Sequence, residues 1–457
     1  MWSSSAMSPM ASLAAARSSA LLLTFAAAFA APATSWATPN STAGHGAEVA
    51  TEWFDLALDL TKGTTGFTPP VASRAFGYLG LTLYESVVGG MPTHQSLEGQ
   101  LNGFKGLPEA RGFAYHWPTV ANVALAEMAR ELYGGATAQA APNLAAIDDL
   151  ERSLEGRIGH VPRGVERRSA GLGREIADVI GDWARRDGGH EGYLRNFPAD
   201  YVPPVSAGLW APTPTAFQRA LQPFWGSNRP FAASSASYCD PGPPISYSEE
   251  LGSTFYAEAF EVYETVQHLT PEQQEIAAFW SDDPGITATP PGHSISILTQ
   301  VLGQQSASLA VAAEGYARVG MAVADSFISC WWTKYRYNLV RPITYIHDLI
   351  DPSWTTPLNT PPFPEYTSGH SVQSGAMAEV LTALFGDLPF TDATHADRGF
   401  APRSFDSFYD AADEAAISRL YGGIHYRDAI EAGVAQGRCV GSEVNALGFR
   451  TSKQRKE

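Results

Sequence analysis

Cysteine is scarce in this chain: its 457 residues include only Cys239, Cys330 and Cys439, and none lies in a Cys-x-x-Cys pattern. Three thiols allow at most one internal disulfide and leave one over. Because Cys330 and Cys439 lie in apolar helical stretches, we interpret both as small buried hydrophobic residues. Basic residues are also few, with 30 against 47 acidic ones and a formal net charge of −17. This balance argues against nucleic acid or an anionic membrane surface as a partner.

Several familiar catalytic signatures are missing as well. The sequence contains no P-loop, no His-Glu-x-x-His motif and no zinc-type cysteine pattern. It has no Gly-x-Ser-x-Gly elbow either, so we do not expect a serine hydrolase. Long apolar runs are limited to residues 20–31, which are too few to span a bilayer comfortably, so no membrane span is expected.

That short apolar run has the features of a targeting segment. Arg17 precedes it, and Ser35-Trp36-Ala37 offers small residues at the two positions that a signal peptidase reads. We therefore predict that residues 1–37 are a signal peptide and that the mature protein is secreted or periplasmic. The alternative is a disordered tail rich in alanine and serine.

Helical periodicity dominates the rest of the chain, and strand-like alternation is scarce. The pattern predicts N-terminal helices over residues 47–62, 69–88, 119–133, 138–159 and 165–186. Residues 191–248 are rich in proline, serine and glycine, which indicates a long crossover with one short helical piece near residues 217–221. We predict an all-α fold of two packed helical bundles, an N-terminal half over residues 38–248 and a C-terminal half over residues 249–457.

The first candidate functional motif ends a long predicted helix over residues 308–341. Trp331, Lys334 and Arg341 lie three and seven residues apart, which places them on one helical face. Pro342 would end this helix, so both cations would lie where the helix dipole favours positive charge. A solvated basic face is the alternative for this segment in isolation.

The second motif is a Ser-Gly-His triplet, Ser368, Gly369 and His370, at the start of a predicted helix over residues 371–385. Residues 355–364 are rich in proline and deliver the triplet in an extended conformation. A helix N-terminus presents unpaired N–H groups and stabilises an oxyanion, and His370 offers a proton that can move near neutral pH. On its own, such a triplet is more often a plain helix cap.

The third motif contains Arg419 and His425, separated by Gly422 and Gly423. Six residues on one regular helix would place the two side chains on different faces. The glycine pair breaks the helix and lets both side chains converge on one point. A hydrogen-bonded structural histidine is the alternative.

Together the three motifs resemble the signature Lys-x6-Arg-Pro, Pro-Ser-Gly-His and Ser-Arg-x5-His. It belongs to the superfamily of type 2 phosphatidic acid phosphatases, bacterial class A acid phosphatases and vanadium-dependent haloperoxidases. The resemblance is greatest to the haloperoxidase branch, whose members are of similar length. That branch also has a motif similar to Phe279-Trp280-x-x-Asp283, and aromatic residues similar to Trp331 before the Lys and Phe363 before the Ser-Gly-His. Two positions depart from the pattern. Thr367 replaces a proline, and Asp428 lies three rather than four residues after the last histidine.

The resemblance implies a vanadate cofactor, for which phosphate would compete, in the core of a C-terminal four-helix bundle. The residues that it implies around the oxyanion, which we call the oxyanion cradle, are Lys334, Arg341, Ser368, Gly369, His370, Arg419 and His425. His425 would ligate vanadium and His370 would act as acid and base. Around the cradle, Trp331 and Phe363 would form an aromatic wall for halide. Asp283 would pair with Arg419, and Asp428 would orient His425.

Three functions are compatible with this signature. The first is an exported vanadate-dependent haloperoxidase that oxidises halide with hydrogen peroxide to hypohalous acid, which then reacts with a small organic acceptor. The second is an exported acid phosphatase with His425 as the nucleophile. The third is a non-catalytic oxyanion-binding protein. The sequence does not choose the halide, the acceptor or the oligomeric state.

Overall fold

Helices dominate the computed structural model, which describes residues 41–110 and 112–451. The predicted all-α class is confirmed. The predicted signal peptide, residues 1–37, lies outside the described residues. Among the helices that are described, none combines the length and the hydropathy needed to cross a membrane.

The N-terminal helices begin and end close to the predicted positions. They are α1 (Glu48–Gly63), α2 (Pro69–Val87), α3 (Trp117–Tyr133), α4 (Ala140–Arg157) and α5 (Arg163–Ala184). Thr68 precedes α2 in an extended conformation, and Pro69 occupies the first helical position, where its fixed φ suits a helix and its missing N–H is not needed. Helix α2 is buried on nearly every side, which is expected of a central helix.

The crossover between α5 and the next helix contains no α-helix among the described residues. Phe217 and Gln222 have left-handed φ angles of 46° and 50°, so the short helix predicted near residues 217–221 is wrong. The crossover is fastened to the C-terminal helices by a disulfide between Cys239 and Cys439. The prediction that Cys439 is a free buried residue is therefore also wrong, whereas Cys330 is free and buried as expected.

The C-terminal half contains more elements than the sequence predicts. The helices are α6 (Thr254–Gln267), α7 (Pro271–Phe279), α8 (Thr289–Gln304), α9 (Leu309–Tyr337), α10 (Pro342–Leu349), α11 (Gly369–Phe385), α12 (Phe408–Tyr421) and α13 (Arg427–Ala446). A small antiparallel hairpin joins α11 to α12 and consists of β1 (Phe390–Asp392) and β2 (Arg403–Phe405). Helix α10 and the hairpin were not predicted.

The long helix predicted over residues 308–341 ends early. Asn338 adopts a left-handed conformation with φ of 49° and stops α9 at Tyr337. Arg341 is then the N-cap of α10, whose first residue is Pro342. Proline therefore starts a helix here instead of ending one. Trp331 and Lys334 share α9, but Arg341 reaches the site from a separate turn.

Glycines allow two helix pairs to pack with their backbones in contact. A Cβ atom at Gly80 of α2 would overlap the Tyr316 carbonyl of α9, and one at Gly437 of α13 would overlap the Val372 carbonyl of α11. Helix α9 also packs against α11 and α13, so one hydrophobic core extends from Trp53 of α1 to Val444 of α13. The boundary proposed after residue 248 stays a prediction about chain organisation.

Candidate active site

A cavity of about 710 Å³ contains most of the predicted site residues. Its lining includes Trp331, Phe363, Gly369, His370, Arg419 and His425, with Asp283 at the same cavity. Lys334 and Arg341 contact Phe363 of this lining, and Ser368 directly precedes Gly369 in the chain. Helices α9, α11, α12 and α13 surround the site, and the N-terminal half closes one side with Tyr193, Leu194 and Phe197.

Local sequence explains how the third motif converges with the second. The Ser368 hydroxyl accepts a hydrogen bond from the Ser371 N–H at 3.4 Å, so Ser368 is the N-cap of α11. Helix α12 ends two residues after Arg419, and Gly423 has a φ of 73° that suits glycine. The chain then turns back and presents His425 immediately before α13. The predicted glycine break is therefore confirmed.

His425 is a buried imidazole with a fixed orientation. Its Nδ1 lies 2.7 Å from Glu365 Oε1, and its Nε2 lies 3.3 Å from Arg341 Nη1. Burial lowers the pKa of His425 well below its usual value, and the positive charges of Arg341 and Lys334 lower it further. A neutral ring that donates Nδ1–H to Glu365 keeps its lone pair on Nε2, which is the form needed for a metal ligand or a nucleophile.

Glu365 is the functional residue that sequence reasoning missed. Its Oε1 accepts from both His425 and the Tyr426 N–H, the latter at 2.9 Å, and the residue is fully buried. Burial raises the pKa of Glu365 to about 8, although Arg341 and Lys334 oppose the shift. The available signal was a carboxylate between Pro364 and Tyr366, inside a segment that is otherwise apolar or uncharged.

Asp428 does not orient His425, so that prediction is wrong. Its Oδ2 accepts from the Ile245 N–H at 3.3 Å, and its own N–H donates to Glu258 at 3.0 Å. Helix α13 begins at Arg427, after the histidine, so helical spacing does not relate His425 to Asp428. The aspartate faces the crossover and α6 instead.

Lys334 and Arg341 are fully buried cations that hold the loop before α11. Lys334 Nζ donates to the carbonyls of Pro364, Glu365 and Thr367 at 3.0, 2.9 and 2.5 Å. Arg341 donates to the carbonyls of Phe363 and Ile424, both at 2.8 Å. Burial lowers the pKa of Lys334 to about 7. In its protonated form Lys334 supplies positive charge to the site, and its three N–H donors hold the loop before α11.

Arg419 is held by backbone carbonyls and its own neighbour. Its Nη2 donates to the carbonyls of Trp280 and Ala277 at 3.0 and 3.3 Å, and its Nε donates to Ser418 Oγ at 2.9 Å. Two of these acceptors lie at the C-terminus of α7, where carbonyls lack partners within the helix. Burial lowers the pKa of Arg419 to about 10.

The predicted ion pair between Asp283 and Arg419 is wrong. Asp283 is exposed, and its carboxylate accepts from Ser281 Oγ at 3.3 Å. No described carboxylate lies within ion-pair distance of the guanidinium, although the charges of Asp282 and Asp283 still favour its protonated form. The C-terminal carbonyls of α7 do the positioning that we assigned to a carboxylate.

Two buried nitrogens of the cradle are left without a hydrogen-bond partner within the described chain: Arg341 Nη2 and His370 Nε2. Burial lowers the pKa of His370 well below its usual value, and the charge of Arg419 lowers it further. Unpaired buried polar atoms are costly, and these two adjoin three cations and a helix N-terminus. The arrangement fits a tetrahedral oxyanion such as vanadate or phosphate.

An aromatic wall adjoins the cradle. The rings of Trp331 and Phe363 lie 4.9 Å apart, and Trp331 Nε1 donates to the Leu221 carbonyl at 3.2 Å. Lys334 Nζ lies 5.0 Å from the centre of the Phe363 ring. The wall is therefore apolar toward the cavity and has positive charge directly behind it.

Comparisons with known proteins agree on one family. Residues 315–452 match the family model described as the VCPO second helical-bundle domain. Vanadium chloroperoxidase of Curvularia inaequalis is 25% identical over 477 residues, which cover 82% of this chain and 78% of that protein.

Solved structures give the same result with greater coverage. The chain is 39% identical to a bacterial vanadium-dependent iodoperoxidase, with a TM-score of 0.80 over 90% of this chain and 98% of that one. An apo-type bacterial vanadium-dependent chloroperoxidase shares the fold at 14% identity, with a TM-score of 0.65 over 84% of this chain and 94% of that one.

Proposed function

Because the chain belongs to the vanadium-dependent haloperoxidase family, we propose that it binds vanadate and oxidises a halide with hydrogen peroxide to hypohalous acid. Bound vanadium would act as a Lewis acid that activates peroxide without a change of its own oxidation state. The remaining chemistry depends on how the protein binds, orients and protonates the reactants.

The observation that carries this proposal is the state of His425. Its Nδ1 lies 2.7 Å from Glu365 Oε1, burial lowers the pKa of the ring well below its usual value, and its Nε2 lies 3.3 Å from Arg341 Nη1, beside the unpaired Nη2 of the same guanidinium. His425 would therefore ligate vanadium through Nε2. Arg341, Arg419 and the start of α11 at Ser368 and Gly369 would bind the oxygens, and Lys334 would contribute charge from behind.

His370 is suited to moving protons at this site. Its neutral ring leaves one nitrogen able to accept a proton, and Nε2 has no protein partner among the described residues. We assign it the role of acid and base for peroxide and for the departing hypohalite oxygen. An oxyanion in the cradle would offset the charge of Arg419 and bring the pKa of His370 closer to neutrality.

Iodide is the halide that we expect to be oxidised fastest. It is the most easily oxidised of the common halides, and the bacterial relative at 39% identity is an iodoperoxidase. Trp331 and Phe363 provide the apolar, positively backed wall against which a large soft anion could rest. Leu194 and Phe197, at the mouth of the cavity, are placed to contact a small organic acceptor.

We also propose that the protein works outside the cytoplasm. The predicted signal peptide supports this location, and so does the Cys239–Cys439 disulfide, because disulfides persist mainly in oxidising compartments. Release of hypohalous acid there would spare cytoplasmic components.

A direct experiment compares two activities of one preparation. The mature chain is incubated with orthovanadate, and peroxide consumption is followed with iodide, bromide or chloride, alongside phosphomonoester hydrolysis by the vanadate-free chain. We expect halide-dependent peroxide consumption that phosphate inhibits by competing for the same cradle. Phosphatase activity without any peroxidase activity would favour the phosphatase alternative and overturn the proposal.

A further inference from the structure

A second buried polar cluster lies on the other side of the segment that lines the active-site cavity. It contains Asp282, His293, Asp392 and His395, which we call the histidine–aspartate cluster. We propose that Asp282, His293 and His395 bind one divalent transition-metal cation of the Zn²⁺ type. This site is separate from the oxyanion cradle, and the inference does not rest on the haloperoxidase proposal.

The ligand atoms are already close together. Asp282 Oδ2 lies 2.9 Å from His293 Nδ1, and Asp282 Oδ1 lies 3.1 Å from His395 Nε2. The three side chains can place one ligand atom each within 4.8 Å of the others. Tetrahedral bonds of about 2.0–2.2 Å would separate neighbouring ligand atoms by roughly 3.3–3.6 Å. To hold an ion, the contacts of 2.9 and 3.1 Å would lengthen by a few tenths of an ångström, and a ligand pair at the 4.8 Å limit would shorten by about 1.2 Å.

Hydrogen bonding alone leaves this cluster incomplete. Asp282 Oδ1 and His395 Nε2 are 3.1 Å apart, which is within ion-pair distance, yet neither atom makes a hydrogen bond of acceptable geometry in the described part of the chain. Both side chains are almost completely buried. A protonated His293 between Asp282 and Asp392 would explain its own two contacts. It would still leave Asp282 Oδ1 and His395 Nε2 without a hydrogen bond. A cation bound by both Asp282 Oδ1 and His395 Nε2 would satisfy them.

Asp392 provides the support that metal-ligating histidines commonly have. Its Oδ2 lies 2.7 Å from His293 Nε2, on the side of the ring opposite to Asp282. Its Oδ1 accepts from the Thr394 N–H at 2.9 Å, so the carboxylate is itself fixed. A carboxylate that receives the second N–H of a ligating imidazole fixes the ring and raises its basicity.

An entry path and a favourable charge are also present. All three proposed ligands line a cavity of about 170 Å³, whereas of the three only Asp282 also lines the active-site cavity. Two carboxylates in the cluster favour a cation, and a nitrogen-rich donor set favours Zn²⁺ over Mg²⁺ or Ca²⁺. Lys62 and Arg398 line the same small cavity but make no ion pair with the cluster within the described ranges.

The metal would couple the cluster to the cradle through Trp280. The Trp280 ring stacks on His293 with 4.5 Å between centroids, and its carbonyl accepts from Arg419 at 3.0 Å. A cation on Asp282 would fix residues 280–282 against the loop that follows β1. With the metal bound, His293 and His395 would therefore act on Arg419 through Trp280.

Elemental analysis tests the site without any activity assay. The full chain is stripped with a chelator, incubated with Zn²⁺ and freed of excess by gel filtration. We expect about one Zn²⁺ per chain for the wild type and less than about 0.2 for His395→Ala. His268→Ala, which removes an exposed histidine directly after α6, should keep the wild-type content.

Co²⁺ provides a second readout that works even if His395→Ala does not fold. The wild-type chain loaded with Co²⁺ should show the intense visible bands of a four-coordinate nitrogen and oxygen site, and His395→Gln should lose them. Zn²⁺ well below one equivalent in the wild type, without such bands, would overturn the proposal. The cluster would then be a hydrogen-bonded network only.

Discussion

The oxyanion cradle and the histidine–aspartate cluster are both buried, and both contain polar atoms that no described residue satisfies. They differ in the charge around those atoms. In the cradle, the unpaired nitrogens of Arg341 and His370 lie among three cations and one carboxylate. In the cluster, an oxygen of Asp282 and a nitrogen of His395 lie among two carboxylates and the imidazole of His293, which bridges them. Similar burial with opposite charge predicts opposite ligands, an anion in the first and a cation in the second.

The two sites share one short segment of chain. Trp280 contacts the cradle through its carbonyl and the cluster through its ring, and Asp282 adjoins both cavities. Changes to either site should therefore have a large effect on its own ligand and a small effect on the other ligand. The variants below test that separation.

His425→Ala should have the largest effect. Removing the proposed vanadium ligand would leave the cations in place but eliminate the bond that holds the cofactor, so we expect halide-dependent peroxide consumption to fall by about 100-fold or more. Steady-state rates at saturating orthovanadate measure this, with His268→Ala as an exposed control. Wild-type turnover in His425→Ala would mean that another residue ligates the cofactor.

Glu365→Gln should come next. The amide keeps the shape and one oxygen acceptor but cannot ionise, so above about pH 8, the pKa of Glu365, it lacks the charge that polarises His425, and vanadate affinity measured there should weaken by about 10- to 100-fold. Calorimetric titration with orthovanadate measures the change. Asp428→Asn is the matched control, because Asp428 contacts Ile245 and Glu258 instead, and it should change the affinity less than about threefold. Equal effects of the two substitutions would contradict the assignment.

Lys334 should give vanadate binding a moderate dependence on pH. Its pKa is lowered to about 7, and only its charged form attracts an oxyanion, so affinity should be highest below pH 7 and fall as the pH rises through that value. Between roughly pH 6.5 and 8.5 we expect about a tenfold loss beyond that of Lys334→Arg, which stays charged.

The comparison with Lys334→Arg removes the contribution of the ligand, because both proteins meet the same mixture of vanadate species at each pH. Dissociation constants from calorimetry at several pH values are the required measurement. Parallel pH profiles in the two proteins would show that Lys334 does not titrate in this range. Thermal melts of the vanadate-free proteins check that the larger guanidinium is accommodated.

Asp283→Ala should have the smallest effect. The side chain is exposed and bonds only to Ser281 among the described residues, so vanadate affinity should change less than about threefold and thermal stability should hardly change. Direct titration of the variant with orthovanadate is sufficient. A loss of tenfold or more would contradict this expectation and support the ion pair between Asp283 and Arg419 that the sequence predicted.

Features that depend on local sequence pattern were predictable from the sequence. Helix periodicity and capping residues indicated most of the helices, and the spacing of the three motifs indicated the family and the cradle. Helix α9 was predicted too long because no glycine or proline occurs between Gly320 and Pro342, whereas Asn338 ends the helix with a left-handed backbone. Pro342 suits either a helix end or a helix start, and tertiary packing decided between them.

Interactions between distant segments were not predictable in the same way. Cys239 and Cys439 are 200 residues apart, and spacing alone could not pair them. Arg419 is positioned by carbonyls of α7, and backbone acceptors leave no trace in residue identity. The histidine–aspartate cluster brings together residues from α8, from the segment after α7 and from the hairpin region. Its members have no common spacing in the sequence.

One measurement tests the central contrast most directly. Wild-type enzyme, His425→Ala and His395→Ala are each incubated with orthovanadate and Zn²⁺ together, freed of excess ligand and analysed for both elements. The wild type should retain about one vanadium and one zinc per chain, His425→Ala should lose vanadium alone, and His395→Ala should lose zinc alone. Vanadium retained by His425→Ala, or both elements lost together in either folded variant, would contradict two independent sites of opposite charge.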